Sequence, residues 1–283
     1  MILVTGGAGF LGRHVVRRLN GLSFDNNDIL CGGTDDPNGI PGSVTNFDRL
    51  KCIIEKYGIT QIVHLAALGR NLTCQDFPEK AWDVNVTGTR NVLEAARQLP
   101  QIKRVICCSS NITLSDKATV YRSTKRVVEE LVELYASLGV SCIGIRPSNI
   151  YGIGQSRTEY QLCAFAALDK GFERDGYFTI TGNGQQSRDW VHVEDVARCF
   201  ELSLNSSVSG ITVDACTSRL TSLNAIAQML HVPVQYTVER PGDAKELVSN
   251  PEPAEKLLGF KSSIILEDRI QDAFPAVTRG SQR

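Results

Sequence analysis

Over residues 1–150 the chain alternates short apolar runs with longer stretches in which apolar side chains recur every three or four positions. The runs fit strands buried on both faces, and the periodic stretches fit amphipathic helices lying on them. Strands are expected at 2–4, 29–31, 62–65, 105–108 and 140–145, and helices at 14–19, 50–57, 82–98 and 120–138. Val92, Ala96 and Leu99 form one apolar stripe, and Val127, Val128, Leu131 and Tyr135 form another. Strands that alternate with helices in this way predict an α/β fold with a doubly wound parallel sheet.

Beyond Pro147 the pattern breaks up. Turn-forming stretches such as Tyr151-Gly152-Ile153-Gly154 and Gly182-Asn183-Gly184 become frequent. A boundary near residue 150 is expected, with a larger unit at 1–150 and a smaller C-terminal one at 151–283. Segments around 186–215 are expected to return to the first unit, through a strand at 190–193 and a helix at 195–204 with Asp195 as its N-cap. The tail from Val277 is expected to fray.

The first strand runs into Thr5-Gly-Gly-Ala-Gly-Phe-Leu-Gly12. Gly6, Gly9 and Gly12 at a strand-to-helix turn let backbone N–H groups approach a pyrophosphate, which the positive end of the following helix then faces. That makes residues 1–150 a Rossmann-type dinucleotide-binding unit and leaves 151–283 as a substrate-binding domain. Composition narrows the partners. With 42% hydrophobic and 22% charged residues the chain is ordinary globular protein, and its net charge of −1 gives no electrostatic reason for nucleic acid or an anionic membrane. No apolar run reaches the ~20 residues of a membrane helix, and a strand starting at Ile2 leaves no room ahead of it for a signal peptide. Nine scattered cysteines with no zinc-ligand spacing point to a reduced, cytoplasmic protein without a metal site.

Tyr121 and Lys125 stand one helical turn apart and share a face. A phenol titrating near pH ~10 is a poor base at neutrality, and an adjacent ammonium lowers that value. Such a pair can move a proton near pH 7. Ser109 and Ser110 end the strand at 105–108, eleven residues ahead of the tyrosine. Ligands of parallel sheets bind beyond strand carboxyl ends, so both hydroxyls are expected in the same crevice as Tyr121, with Ser110 as the proton relay.

These pieces occur in order with Val4–Gly12, His64-Leu-Ala-Ala67, Val84-Asn-Val-Thr-Gly-Thr-Arg-Asn-Val-Leu93, Arg146-Pro-Ser-Asn-Ile-Tyr-Gly152, the stretch from Gly182 to Asp195, and Arg240-Pro-Gly-Asp243. In this the chain resembles the extended short-chain dehydrogenases/reductases, in the nucleotide-sugar epimerase and dehydratase branch that includes UDP-glucose 4-epimerases. The resemblance implies a tightly held nicotinamide dinucleotide contacted by Gly6, Gly9, Phe10, Leu11, Gly12, Leu65, Ala66, Ala67, Tyr121, Lys125 and Pro147. It implies a nucleoside-diphosphate sugar held by Ser110, Asn149, Arg188, Arg240 and Asp243, the two arginines forking onto phosphate oxygens. Asp189, Asp195 and Asn85 are expected to be structural. Relatives commonly form homodimers through a four-helix bundle, for which the helices at 82–98 and 121–138 have apolar surface.

Three departures shape the expected activity. An acidic residue should end the second strand and accept both adenosine-ribose hydroxyls; Gly33 falls there, with Asp35 or Asp36 able to stand in, so NAD is preferred and NADP stays open. Gly42-Ser43 replaces a glycine-aspartate pair. The segment between Ser110 and Tyr121 is short, and Asn111 and Ile112 supply no carboxylate where dehydrating and decarboxylating relatives carry one. The expected reaction is C4 epimerisation of a UDP- or dTDP-hexose through a transient 4-keto sugar. An NAD(P)H-dependent reductase of a nucleotide 4-keto sugar and a non-catalytic dinucleotide-binding regulator remain as alternatives.

Overall fold

In the computed structural model, which describes residues 1–25, 39–238 and 247–280, the first strands are β1 (Ile2–Thr5), β2 (Leu22–Asp25), β3 (Ile40–Pro41), β4 (Gln61–His64), β5 (Arg104–Cys108) and β6 (Cys142–Pro147). Later come β7 (Asn149–Tyr151), β8 (Phe178–Thr181), β9 (Ser187–His192), β10 (Thr212–Ala215), β11 (Leu220–Ser222) and β12 (Val234–Thr237). Seven of them form one sheet in the order β10-β6-β5-β4-β1-β2-β3, with every neighbour parallel. Side chains alternate across it. Leu3, Ile62 and Val105 pack into the core on one face, and Val4, Val63 and Ile106 into the core on the other.

The helices that cover these faces are α1 (Phe10–Leu19), α2 (Phe47–Lys56), α3 (Asn71–Asp76), α4 (Pro78–Trp82), α5 (Gly88–Gln98) and α6 (Val120–Ser137). The C-terminal half adds α7 (Ala164–Asp175), α8 (Val193–Leu204), α9 (Leu223–Met229), α10 (Glu252–Leu258), α11 (Leu266–Arg269) and α12 (Pro275–Gly280). Residues of α2, α5 and α6 fill the first face, and those of α1, α8 and α10 the second. A third core around Phe165, Phe178, Trp190 and Phe274 joins α7, β8, β9 and the segment before α12. There β9 pairs parallel with β7 and antiparallel with β11, while β8 pairs with β12.

Four local expectations are corrected. The second strand lies at Leu22–Asp25, because α1 stops at Asn20 in a left-handed conformation (φ 48°) and the chain turns straight back into the sheet. Residues 29–31 lie outside the described residues. The helix expected at 82–98 begins at Pro78 and passes through a π turn at Asp83–Thr87, where Asn85 is buried. Helix α8 is capped by His192, whose ring accepts from the Glu194 N–H. Val277 does not fray: it lies in α12, 5% exposed, with its N–H directed at Asp169.

Asp195 therefore sits inside α8, buried, and holds the chain that follows α10. It accepts from the N–H groups of Ser263 and Ile264, each at 2.8 Å, and pairs with Arg198 at 2.8 Å. Burial works against its ionisation, but hydrogen bonds from Arg198, Ile264 and Ser263 outweigh burial and keep the carboxyl below its ordinary value. With the folded pKa below the unfolded one, the stabilisation is full above pH ~4 and is lost as pH falls through the folded value. Asp195→Ala is expected to cost about 2–4 kcal/mol at neutral pH, by stranding buried donors, and the deficit should shrink in acid. Urea unfolding at several pH values measures both effects.

Candidate active site

Strand β1 ends against the sheet's switch point, where the order reverses between β1 and β4. Gly6 turns there with φ +70°, and a Cβ on it would lie 2.7 Å from the Ala66 nitrogen. A Cβ on Gly12 would lie 2.0 Å from the Gly6 carbonyl oxygen. Backbone fills both places, which leaves a shallow cradle under the N-terminus of α1 with amide groups available to an anion. The cradle is the floor of a solvent-open cleft of about 940 Å³. It is lined by Gly6, Gly9, Phe10, Leu11 and Gly12, by Leu65, Ala66 and Ala67, and by Tyr121 and Lys125.

The carboxylate at the end of the second strand is Asp25, a correction to the expected Asp35. Asp35 and Gly33 lie outside the described residues. Asp25 lines the cleft, and its Oδ2 accepts from the Ala8 N–H at 3.1 Å. A signal was present in the sequence: Asn20-Gly21 stops a helix, Leu22 and Phe24 alternate with polar residues as in a short strand, and its aspartate comes nineteen residues after Gly6. A glycine cradle with a carboxylate beyond the next strand fits a dinucleotide carrying a free ribose 2′-hydroxyl.

Thr119 caps α6 by accepting from the Arg122 N–H, which places Tyr121 in the first turn at the cleft wall, partly buried. Burial pushes the phenol above its ordinary value, and a hydrogen bond with Ser110 pulls it part of the way back. The expected lowering by Lys125 is corrected here. Its Nζ donates to the Cys108 carbonyl oxygen at 2.8 Å, and burial draws the lysine itself below its usual value. The influence of Lys125 is felt at His64, where burial and the lysine charge bring the pKa down to about 3. That neutral ring bridges Thr5 at 2.7 Å and Thr89 at 3.0 Å, tying β1 and β4 to α5.

Ser109 departs from expectation. Its hydroxyl donates to Glu129, not into the crevice. Glu129 also accepts from Thr113 Oγ1 at 3.0 Å and from Arg146 Nε and Nη2 at 3.0 and 2.7 Å, while Arg146 Nη1 reaches Asp214 at 2.7 Å. Sequence reasoning overlooked Glu129, although it stands one turn beyond Lys125 and two beyond Tyr121 on the same face. Only Ser110 is left facing Tyr121.

On the other side of Tyr121 opens a second cleft of about 1480 Å³, lined by Ser110, Pro147, Asn149 and Arg188 among others. The β7–β9 pairing sets Asn149 opposite Trp190, two residues from Arg188. Pro147, expected beside the dinucleotide, lines this second cleft. Arg240 and Asp243 lie outside the described residues. Asp189 is buried, accepting from the Thr217 and Ser218 N–H groups, and Asn85 accepts from the Leu68 N–H at 2.8 Å and donates to Thr124 Oγ1 at 3.0 Å.

The model of the NAD dependent epimerase/dehydratase family matches residues 2–215 of this chain. The putative UDP-glucose 4-epimerase of Methanocaldococcus jannaschii is 28% identical, over 96% of each chain. The solved UDP-glucose 4-epimerase of Thermotoga maritima, with UDP-glucose, is similar at a TM-score of 0.87 and 23% identity, covering 100% of this chain and 99% of that one. The UDP-glucuronic acid 4-epimerase of Bacillus cereus, solved with UDP-glucuronic acid and NAD, gives 0.84 at 22% identity, covering 98% and 99%. These likenesses to solved structures establish a shared fold.

Replacing Glu129 by Ala would leave Arg146 partly buried beside a lost partner. A loss of about 3–5 kcal/mol is expected, against a smaller one for Glu129→Gln, which keeps the shape and some of the hydrogen bonds. Denaturant unfolding of the two variants side by side measures the difference.

Proposed function

The chain belongs to the NAD dependent epimerase/dehydratase family, and we propose that it epimerises C4 of a UDP- or dTDP-linked hexose through a transient 4-keto sugar, with NAD as resident carrier. The observation that carries this reading is the position of Tyr121 on the wall shared by the two clefts, with Ser110 beside it in the second and Lys125 beside it in the first. When bound, oxidised NAD accepts and returns the hydride, and its ring charge draws the buried phenol toward the physiological range. Tyr121 takes the proton of the sugar 4-hydroxyl and later restores it, with Ser110 as relay. Lys125 holds the nicotinamide ribose. Gly6, Gly9 and Gly12 receive the pyrophosphate with Phe10 and Leu11 beside it, and Leu65, Ala66 and Ala67 border the cofactor. Asp25 accepts the adenosine-ribose hydroxyls and disfavours a 2′-phosphate.

At the other end, Arg188 and Asn149, together with Arg240 and Asp243, anchor the nucleoside diphosphate. The hexose alone then turns over between removal and return of hydride. A cytoplasmic homodimer through a four-helix bundle belongs to the same reading. Trp82 on α4 and Leu134 and Leu138 on and after α6 support it, being 42, 52 and 55% exposed. Among the described residues no helix is long and apolar enough to cross a membrane.

Tyr121→Phe is expected to lower kcat by about 10²–10⁴-fold while NAD still copurifies. Interconversion of UDP-glucose and UDP-galactose, followed by chromatography without added cofactor, measures it. Undiminished turnover in the variant would overturn the mechanism, and a strict need for stoichiometric NADPH would select the reductase. Asp25→Ala is expected to weaken NAD binding about 10–100-fold and to narrow its preference over NADP, as read by calorimetric titration with each dinucleotide.

A further inference from the structure

Two polar side chains of the sugar-side cleft are used by nothing described so far. Asn111 follows Ser110 directly, at the start of the 3₁₀ turn Asn111–Leu114, and is 6% exposed. Its Nδ2 is enclosed and has no hydrogen-bond partner. Asn71, the first residue of α3, lines the same cleft, and its Oδ1 is also enclosed and unpartnered. An unmet buried donor or acceptor costs about 1–3 kcal/mol, so folded proteins keep few of them without a reason. Here one such donor and one such acceptor belong to residues that line the cavity holding Ser110 and Tyr121.

We propose that Asn111 and Asn71 are specificity-determining residues that read the hexose. Asn111 donates to the 3- or the 6-oxygen of the hexose, and Asn71 accepts from a sugar hydroxyl. This rests on the nucleotide-hexose reading and adds to it the means by which the sugar is chosen. Three observations converge. Asn111 follows Ser110 in sequence and lines the same cleft as Ser110 and Tyr121. Hydroxyls both donate and accept, which matches one free donor and one free acceptor. Among the described residues that line this cleft there is no Asp or Glu; its charged side chains are Lys117 and Arg188, and the rest of its polar lining is amides and hydroxyls, Asn71 and Asn111 among them.

A site built to hydrogen-bond an oxygen discriminates strongly against the analogue that lacks it. The test measures kcat/KM of the NAD-loaded protein with UDP-glucose, UDP-3-deoxy-glucose and UDP-6-deoxy-glucose, for wild type, Asn111→Ala and Asn71→Ala, with Asn111→Ser as a second variant should the alanine not fold. Wild type is expected to lose at least ~10-fold on one deoxy sugar. Asn111→Ala should lose a similar factor on UDP-glucose and almost none on that deoxy sugar, and the affected arm tells the 3-oxygen from the 6-oxygen. Equal losses on all three substrates, as for a merely structural amide, or no loss on any, would overturn the proposal. Wild type turning over none of them, nor dTDP-glucose, would instead overturn the reading on which the proposal rests, that of a nucleotide-glucose 4-epimerase. Calorimetric Kd values for the same three compounds, wild type against Asn111→Ala, then decide the role of the amide by the same pattern.

Discussion

The Glu129–Arg146 pair is the constraint on which the geometry of the site turns. Both side chains are largely enclosed, at 20 and 16% exposure, so the cost of removing two charges from water has to be met by full hydrogen bonding. Glu129 meets it with donors from Ser109, Thr113 and Arg146, and Arg146 has a second carboxylate in Asp214. The contacts join α6 to β5, to the turn after it, to β6 and to β10. Tyr121, Lys125 and Glu129 lie on one face of α6, so fixing the third fixes the roll of the helix and with it the aim of the first two.

The sheet does the rest of the positioning. Parallel order sends every strand's carboxyl end to the same edge, so β1, β2, β4, β5 and β6 deliver Gly6, Asp25, Leu65, Ser110 and Pro147 to one region. The reversal of order between β1 and β4 opens the crevice there. The smaller β7–β9–β11 sheet closes the far side with Asn149 and Arg188. Tyr121 lines both clefts because the connection from β5, residues 109–119, starts α6 on the side of the sheet where the strands' carboxyl ends lie.

How much of this could be read in the sequence depended on whether the signal was local. The glycine turn, the strands at β1, β4 and β5, and the helix that became α6 carry their own periodicity or punctuation and were legible. The second strand was misplaced because Leu22-Ser-Phe-Asp25 is brief and half polar, whereas residues 29–31 are wholly apolar; strand choice there follows from where α1 stops. Asp195 has the chemistry of an N-cap, but the two amides of the chain after α10 claim its carboxylate, a contact 68 residues away that no window detects. Ser109 and Ser110 look alike in sequence and differ only through a glutamate two helical turns beyond the tyrosine. Val277 was misjudged because proximity to the end of the chain says nothing of the buried Asp169 that receives its N–H.

The proposed reaction places opposite demands on the two ends of one ligand, and the second cleft is built unevenly to suit. The diphosphate has to stay fixed, which favours charge-assisted forks of the kind proposed for Arg188. The hexose has to release its contacts, present its other face to the carrier and remake equivalent contacts. Charged partners at that end would hold one face too firmly, since hydrogen bonds to charged groups contribute about 1.5–3 kcal/mol against about 0.5–1.5 for neutral ones. Neutral groups such as Asn111, Asn71 and Ser110 can be exchanged between faces of the ring at small cost. The proposed turning of the ring also calls for an open cleft, and the short segment between Ser110 and Tyr121 sets only a 3₁₀ turn, Asn111–Leu114, against its lining.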